Sequence, residues 1–171
     1  MSTASCVRVM GVDPGLASVG WGVVDRDGAR IFYRAHGCIS TRADMPMNER
    51  LAHIRDTLAE LTHTWQPAEA AMEALFFAKN VTSAMGVSEA RGVIRLVFHD
   101  ASVPLSEYLP THVKQAATGS GQASKTDMQN FIRMVLGLSE IPKPDHAADA
   151  LALALCHCNS ERFLAMARTG R

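Results

Sequence analysis

Residues 7–28 read VRVMGVDPGLASVGWGVVDRDG and contain two apolar runs separated by turn residues. The first run, Val7–Val12, predicts a short buried strand, and the Asp-Pro-Gly that follows it forces a turn. The second run, Val19–Val24, predicts a strand that ends at an Asp-Gly pair, which is a strong hairpin signal. Ala29–Ser40 then predicts a third strand. Three consecutive strands joined by short turns indicate an antiparallel meander.

Beyond residue 40 the pattern changes to alternating helices and strands. Apolar residues recur at helical spacing over 46–65, which predicts an amphipathic helix. Ser124 and Asp127 form a capping-box pattern at the start of a later helix. The other predicted elements are strands over 68–75 and 103–108 and helices over 81–101, 111–118 and 147–158. This order predicts an α/β fold with a mixed five-stranded sheet flanked by helices.

The length of 171 residues suits one domain, with a core over about 7–160 and a flexible tail over 161–171 that already loosens after residue 158. The net charge of zero argues against indiscriminate binding to a polyanion. No signal peptide or membrane span is evident, so we expect a cytoplasmic protein. Cys156 and Cys158 lack zinc-site spacing and are interpreted as reduced structural thiols.

Three acids and a histidine occupy apolar surroundings. Asp13 follows the first strand, Glu73 lies inside the fourth, and His146 and Asp149 share one face at the start of an apolar helix. A carboxylate in an apolar segment is costly unless it is paired or binds a cation. The set therefore predicts a site for divalent metal ions, with two ions per site, of the kind that cuts phosphodiesters. Asp145 is interpreted as the N-cap of the last helix.

Each of these residues also has a plainer interpretation. Asp13 could serve only the turn, and Glu73 could be an inward charge on an edge strand. His146 could simply face solvent beside the N-cap. Asp149 could be placed by its favourable interaction with the helix dipole.

Several segments, in order along the chain, resemble the RuvC family of bacterial Holliday junction resolvases, which have the ribonuclease H-like fold. The matching segments are Gly11–Gly15, Gly20–Val23, Met72–Asn80, Glu89–Gly92, His112–Gln115 and His146–Ala152. The resemblance spans about residues 7–160. It implies a metal-dependent endonuclease that cuts four-way DNA junctions as a homodimer, with two symmetric nicks, in recombination and repair. It also implies a branch-migration complex of RuvA and RuvB as partner.

Carried over position by position, the resemblance assigns Asp13, Glu73, His146 and Asp149 to the active site as metal ligands and catalytic residues. The third position is Asp in some family members and His in others. Imidazole suits softer ions than Mg²⁺, so we expect Mn²⁺ to support cleavage at least as well as Mg²⁺.

The resemblance also provides candidate DNA contacts. Phe76 matches an aromatic residue near the junction centre, where it can stack on an unpaired base, and Phe77 is its nearest rival. Lys114 and Lys125 match lysines near the scissile phosphate. Lys79 and Arg91 are further phosphate candidates, because phosphate contacts position a protein on DNA.

The helix over 81–101 carries two apolar stripes, so two surfaces must cover it. One is the sheet. The pattern leaves open whether the other is residues 111–137 of the same chain or a second copy, and the resemblance favours a second copy. Competing functions are an actin-like ATPase, which needs about twice this length, a junction-binding protein without catalysis, and a related ribonuclease H-like enzyme.

Overall fold

The computed structural model describes residues 6–74 and 81–169, without the side chains of 81–83 and 161–169. The strands and helices are, in chain order, β1 Val7–Asp13, β2 Ser18–Asp27, β3 Arg30–Ser40, α1 Met47–Trp65, β4 Glu69–Glu73, α2 Val81–Asp100, β5 Leu105–Tyr108, α3 Pro110–Thr118, α4 Lys125–Val135 and α5 Asp145–Thr169. The predicted elements are confirmed with small shifts at their ends, except that α5 continues to Thr169 instead of ending at residue 158.

The five strands form one mixed sheet in the order β3-β2-β1-β4-β5. The meander pairs antiparallel, β1 with β2 and β2 with β3, whereas β1–β4 and β4–β5 pair parallel. The α/β fold predicted from the sequence is therefore confirmed. Because β1 and β4 are parallel neighbours, their carboxyl ends meet at one edge of the sheet, which is where ligands collect in open α/β folds.

The period-two alternation of the strands sorts their side chains onto two faces. In β1, Val9 packs on the side of α3, α4 and α5, whereas Met10 and Val12 pack on the side of α1 and α2. In β4, Ala71 belongs to the first side and Met72 to the second. By the same alternation, Asp13 and Glu73 both belong to the face that α5 covers.

Helix α5 lies directly on glycines of the two central antiparallel strands. A Cβ atom on Gly11 would lie 1.9 Å from the carbonyl oxygen of Ala150, and one on Gly20 would lie 1.9 Å from that of His146. Real Cβ atoms do not approach backbone that closely, so any larger residue would push the helix away from the sheet. The glycines therefore fix the height of α5 above β1 and β2.

The buried middle of α5 is also tied to the sheet by a histidine. Nε2 of His157 lies 2.9 Å from Oε2 of Glu69, and its Nδ1 lies 2.8 Å from the hydroxyl oxygen of Tyr108. The cysteines on either side are buried, and burial raises the pKa of the Cys158 thiol to about 12. A thiol of that pKa stays protonated at neutral pH, which fits a packing role.

Two expectations for this helix are wrong. The tail predicted after residue 158 is instead helical to Thr169, since Glu, Arg, Leu, Ala and Met all favour helix and no glycine or proline interrupts them before Gly170. Asp145 is the first helical residue and not a side-chain cap. Its carboxylate accepts hydrogen bonds from Lys125 Nζ at 2.9 Å and Gln129 Nε2 at 3.1 Å.

The capping box at the start of α4 is confirmed, with the Ser124 hydroxyl accepting from the Asp127 amide and the Asp127 carboxylate accepting from the Ser124 amide. Helix α2 packs Ile94 and Phe98 against the sheet and α1. Its second stripe stays open, with Met85 and Leu96 both more than 60% exposed. Residues 111–137 therefore do not cover it.

None of the helices in the described part of the chain has the length and apolar character that crossing a lipid bilayer requires.

We predict that Gly11→Ala destabilises the protein by about 1–3 kcal/mol, because the added methyl group overlaps the backbone of α5. Urea unfolding at fixed protein concentration measures this. Gly121→Ala is the matched control, since a Cβ there would be 3.7 Å from its nearest neighbour, the carbonyl oxygen of Thr111. Equal unfolding midpoints for Gly11→Ala and the wild type would contradict this account of the packing.

Candidate active site

Three of the predicted site residues come together where β1 ends and α5 begins. One potential ligand atom each from Asp13, His146 and Asp149 lies within 4.8 Å of the others. Nδ1 of His146 is 2.6 Å from Oδ2 of Asp13, although the two residues are 133 positions apart in sequence. Asp13 is 9% exposed, so its charge is largely removed from water.

Glu73 lies at the end of β4 and lines a cavity of about 260 Å³ together with Asp13 and Asp149. The rest of this cavity comes from α3, α4 and α5, through Pro110, Val113, Lys114, Lys125, Met128, Ala152 and Leu153. Glu73 is not one of the three residues whose ligand atoms share a 4.8 Å neighbourhood. The four predicted residues thus form a tight trio, with Glu73 as a third carboxylate that lines the same cavity as Asp13 and Asp149.

The three carboxyl groups of the cavity all have raised pKa values, so the cavity disfavours their ionised forms. Burial, followed by the charges of Asp13 and Asp149, raises the pKa of Glu73 from its ordinary 4.5 to about 7. Burial is also the main cause that raises the pKa of Asp13 and of Asp149. The His146 hydrogen bond opposes the shift at Asp13, and the Lys125 charge opposes it at Asp149.

This donor set fits a divalent cation. Three carboxylates offer hard oxygen ligands and the imidazole offers a softer nitrogen ligand. A cation among them would stabilise the ionised carboxylates, whose pKa values burial and mutual repulsion raise. A cation bound by both Asp13 and His146 would replace the hydrogen bond between them. The imidazole broadens the choice of ion beyond Mg²⁺.

Two of the predicted DNA contacts lie at the same cavity. Lys125 Nζ is 3.9 Å from Asp149 Oδ2 and 2.9 Å from Asp145 Oδ2, and Lys114 lines the cavity wall. Asp145 thus holds Lys125 beside the acids. Sequence reasoning missed this, because it treated Asp145 only as a helix cap.

The surface phosphate contact expected of Arg91 does not fit its position. Arg91 is 5% exposed. Its guanidinium donates to the main-chain oxygen of Glu73 and, at 2.8 Å, to Oε2 of Glu107. A long charged side chain in a helix usually reaches solvent, so the sequence had no signal for this burial other than the Ala90 and Gly92 on either side of it.

The remaining predicted contacts, Phe76, Phe77 and Lys79, lie outside the described residues. They follow Glu73 within six positions in sequence.

The mixed sheet, with acids where its central parallel strands end, places the protein in the ribonuclease H-like class. A family model described as crossover junction endodeoxyribonuclease RuvC matches residues 9–157. The chain belongs to that family.

Curated relatives with that same name cover nearly the whole chain. The Chloroflexus aggregans protein is 48% identical over 151 residues, which is 88% of this chain and 92% of the relative. The Thermotoga petrophila protein is 47% identical over 156 residues, which is 91% of this chain and 94% of the relative.

Solved structures agree with the fold. Thermus thermophilus RuvC in complex with a Holliday junction substrate superposes with a TM-score of 0.88 at 36% identity, covering 92% of this chain and 96% of that one. The yeast mitochondrial Holliday junction resolvase Ydc2 superposes with a TM-score of 0.72 at 11% identity, covering 98% of this chain and 86% of that one. At that identity the likeness concerns the fold alone.

We predict that the free energy of unfolding of the metal-free protein falls as the pH rises from about 4.5 to about 7, the range between the ordinary and the raised pKa of Glu73. The folded state keeps a proton on Glu73 up to about pH 7, whereas the unfolded state loses it near 4.5. Glu73 is therefore unfavourable for folding above its unfolded pKa, and fully so above pH 7. We expect the free energy of unfolding of Glu73→Gln to exceed that of the wild type by on the order of 1 kcal/mol between pH 5 and 8. The difference stays this small because the side chain is partly exposed and water screens the repulsion.

Thermal unfolding in EDTA across this pH range measures the effect, with the exposed Glu60→Gln as control. Added divalent ions should stabilise the wild type more at pH 8 than at pH 6, because they meet the ionised carboxylate there. Parallel pH curves for Glu73→Gln and the wild type would show that Glu73 does not carry the repulsion.

Proposed function

We propose that this protein is a structure-selective endonuclease that resolves four-way DNA junctions by paired symmetric nicks, in homologous recombination and DNA repair. The observation that carries the proposal is the trio of Asp13, His146 and Asp149, of which the two acids line one cavity together with Glu73 and two lysines. Membership of the RuvC family and the likeness to a relative solved with a Holliday junction support this choice of substrate.

We assign Asp13, Glu73, His146 and Asp149 as the catalytic metal ligands, for Mg²⁺ or Mn²⁺ and two ions per site. Bound divalent ions would act as Lewis acids toward the phosphodiester and make a bound water more acidic. The protein supplies the rigid frame. Asp13 and Glu73 stand at the ends of strands, and His146 and Asp149 stand on a helix that the glycines press against the sheet. Helices and strands position metal-binding side chains more precisely than loops do.

The lysines act on the substrate backbone. Lys114 and Lys125 share the cavity with the carboxylates, so a phosphate that reaches the acids also meets these two cations. Lys125 is 54% exposed, which leaves its ammonium free to exchange Asp145 for a DNA phosphate. Phe76 or Phe77 would stack on an unpaired base near the junction centre, and Lys79 would contact a phosphate.

A homodimer gives the two nicks their symmetry. Met85 and Leu96 form an open apolar stripe on α2, and a Cβ atom on Gly92 would meet no atom within 4 Å apart from the backbone of its own helix. A second copy packed against this stripe by a two-fold axis would present two equivalent acidic sites. Two sites related in this way match the near-symmetry of a four-way junction.

The proposed setting is the bacterial cytoplasm, together with the branch-migration complex of RuvA and RuvB, as the family resemblance implies. The resolvase would then act on a junction that another machine has moved into place.

We predict that the wild type nicks opposite strands of a synthetic four-way junction when Mg²⁺ or Mn²⁺ is present, with Mn²⁺ at least as effective. Asp149→Asn should lower the rate by about 100-fold or more, because it replaces a charged carboxylate of the trio with a neutral amide that binds divalent ions more weakly. Separate end labels on each strand, resolved on a denaturing gel, report the nicks. Asp100→Asn, an exposed acid at the far end of α2, is the control.

Equal cleavage of a linear duplex would reject junction selectivity. Equal rates for Asp149→Asn and the wild type would reject the assigned site. Mg²⁺ outperforming Mn²⁺ at equal concentration would contradict only the role given to the imidazole.

We predict that Leu96→Glu converts a dimer into monomers in sedimentation equilibrium, because the stripe on α2 would have to bury an unpaired charge. Met134→Glu is the control, since Met134 on α4 is also a large apolar residue with a similar exposed fraction, 69% against 62% for Leu96. A persistent dimer in Leu96→Glu would place the interface elsewhere.

A further inference from the structure

We propose that Arg91 is a positioning residue for Glu73, and that it acts through the backbone of β4 and not as a phosphate ligand. The proposal deepens the proposed function, on which it rests, because it concerns the same metal site. It assigns a task to a buried cation that lies beside the acids but does not line their cavity.

The guanidinium of Arg91 bridges three elements. From α2, one terminal nitrogen, Nη1, donates to the main-chain oxygen of Glu73 at the end of β4. The other, Nη2, donates to Oε2 of Glu107 in β5 at 2.8 Å. One planar group thus fixes the distances between α2, β4 and β5 at the end of β4, where the Glu73 carboxylate lies.

Burial separates this arginine from DNA. The Arg91 side chain is 6% exposed, and its terminal nitrogens are already engaged. A phosphate could reach it only if α2 moved away from the sheet. Lys114 and Lys125 need no such movement, since both line the open cavity.

The anchored carbonyl matters because Glu73 is the last residue of β4. The next amide, that of Ala74, still donates to the main-chain carbonyl oxygen of Tyr108 at 2.8 Å, so β5 guides the chain up to this point. Arg91, itself held by Glu107, fixes the main-chain carbonyl group of Glu73. A peptide plane that rotates there would redirect the side chain of Glu73 away from Asp13 and Asp149.

Arginine is needed for this contact and lysine is not equivalent. The guanidinium offers donors in a rigid fork that can meet two acceptors at once, whereas an ammonium is a compact point charge on a flexible stem. Arg91→Lys therefore keeps the charge and most of the volume while it loses the fork. It tests positioning without emptying the core.

The chain offers a matched control in Arg95. Arg95 also pairs with Glu107, one turn further along α2, but its side chain is 56% exposed, against 6% for Arg91. Arg95→Lys is the same chemical change beside the same carboxylate.

The first measurement is Mn²⁺ binding to the full-length protein without DNA, followed by electron paramagnetic resonance. We expect Arg91→Lys to raise the Mn²⁺ midpoint about tenfold, because Glu73 no longer faces the trio, and Arg95→Lys to stay within twofold of the wild type. A wild-type midpoint in Arg91→Lys would overturn the proposal.

The second measurement is junction cleavage at saturating Mn²⁺, together with the salt dependence of junction binding in Ca²⁺. We expect kcat of Arg91→Lys to fall tenfold or more while KM and the salt slope stay at wild-type values. A salt slope that drops by about one would instead identify a phosphate ligand and overturn the proposal.

If Arg91→Lys does not fold, Glu107→Gln serves in its place, since it keeps Arg91 and an acceptor oxygen but removes the charge that holds the fork. We expect its Mn²⁺ midpoint to rise about threefold, and an unchanged midpoint would reject the proposal. Failure of the proposed function looks different. A wild type that binds Mn²⁺ but leaves junctions uncut would reject the function, and the midpoints would still decide the role of Arg91.

Discussion

The contact between the backbone of α5 and the glycines of β1 and β2 is the constraint on which the candidate site depends. Gly11 and Gly20 leave no room for a side chain between sheet and helix. The first turns of α5 therefore sit at the height at which His146 reaches Asp13. A helix held even a side chain further from the sheet would leave Asp13 as a buried carboxylate without that partner.

The same packing brings three carboxyl groups together in a site that is partly buried. Burial and mutual repulsion raise the pKa values of Asp13, Glu73 and Asp149, so the metal-free protein keeps a site that costs stability near neutral pH. Functional sites commonly contain groups perturbed in this way. Here the bound ions would turn an unfavourable cluster into a favourable one, which couples ion binding to the stability of the fold.

Much of this could be predicted from local sequence, because local chemistry controls it. The Asp-Pro-Gly turn, the Asp-Gly hairpin and the Ser124 capping box each fix a short segment regardless of the rest of the chain. The alternation of β1 and β4 places Asp13 and Glu73 on one face. Acids within apolar segments predict a cation site from the sequence alone, because a buried carboxylate needs a partner.

Other features depended on contacts across the fold. The burial of Arg91 follows from acceptors on β4 and β5 that no periodicity relates to α2. The role of Asp145 follows from the approach of α4, which brings Lys125 within 2.9 Å. The helical continuation of α5 was missed for another reason, since its polar residues after Cys158 resembled a tail although their helix propensity is high.

A crystal of the protein soaked in MnCl₂, with anomalous diffraction recorded at the manganese edge, tests the central claim most directly. The account predicts anomalous density among Asp13, His146 and Asp149, with Glu73 on its border. Well-ordered carboxylates without anomalous density between them, at a Mn²⁺ concentration that loads other sites in the same crystal, would contradict it.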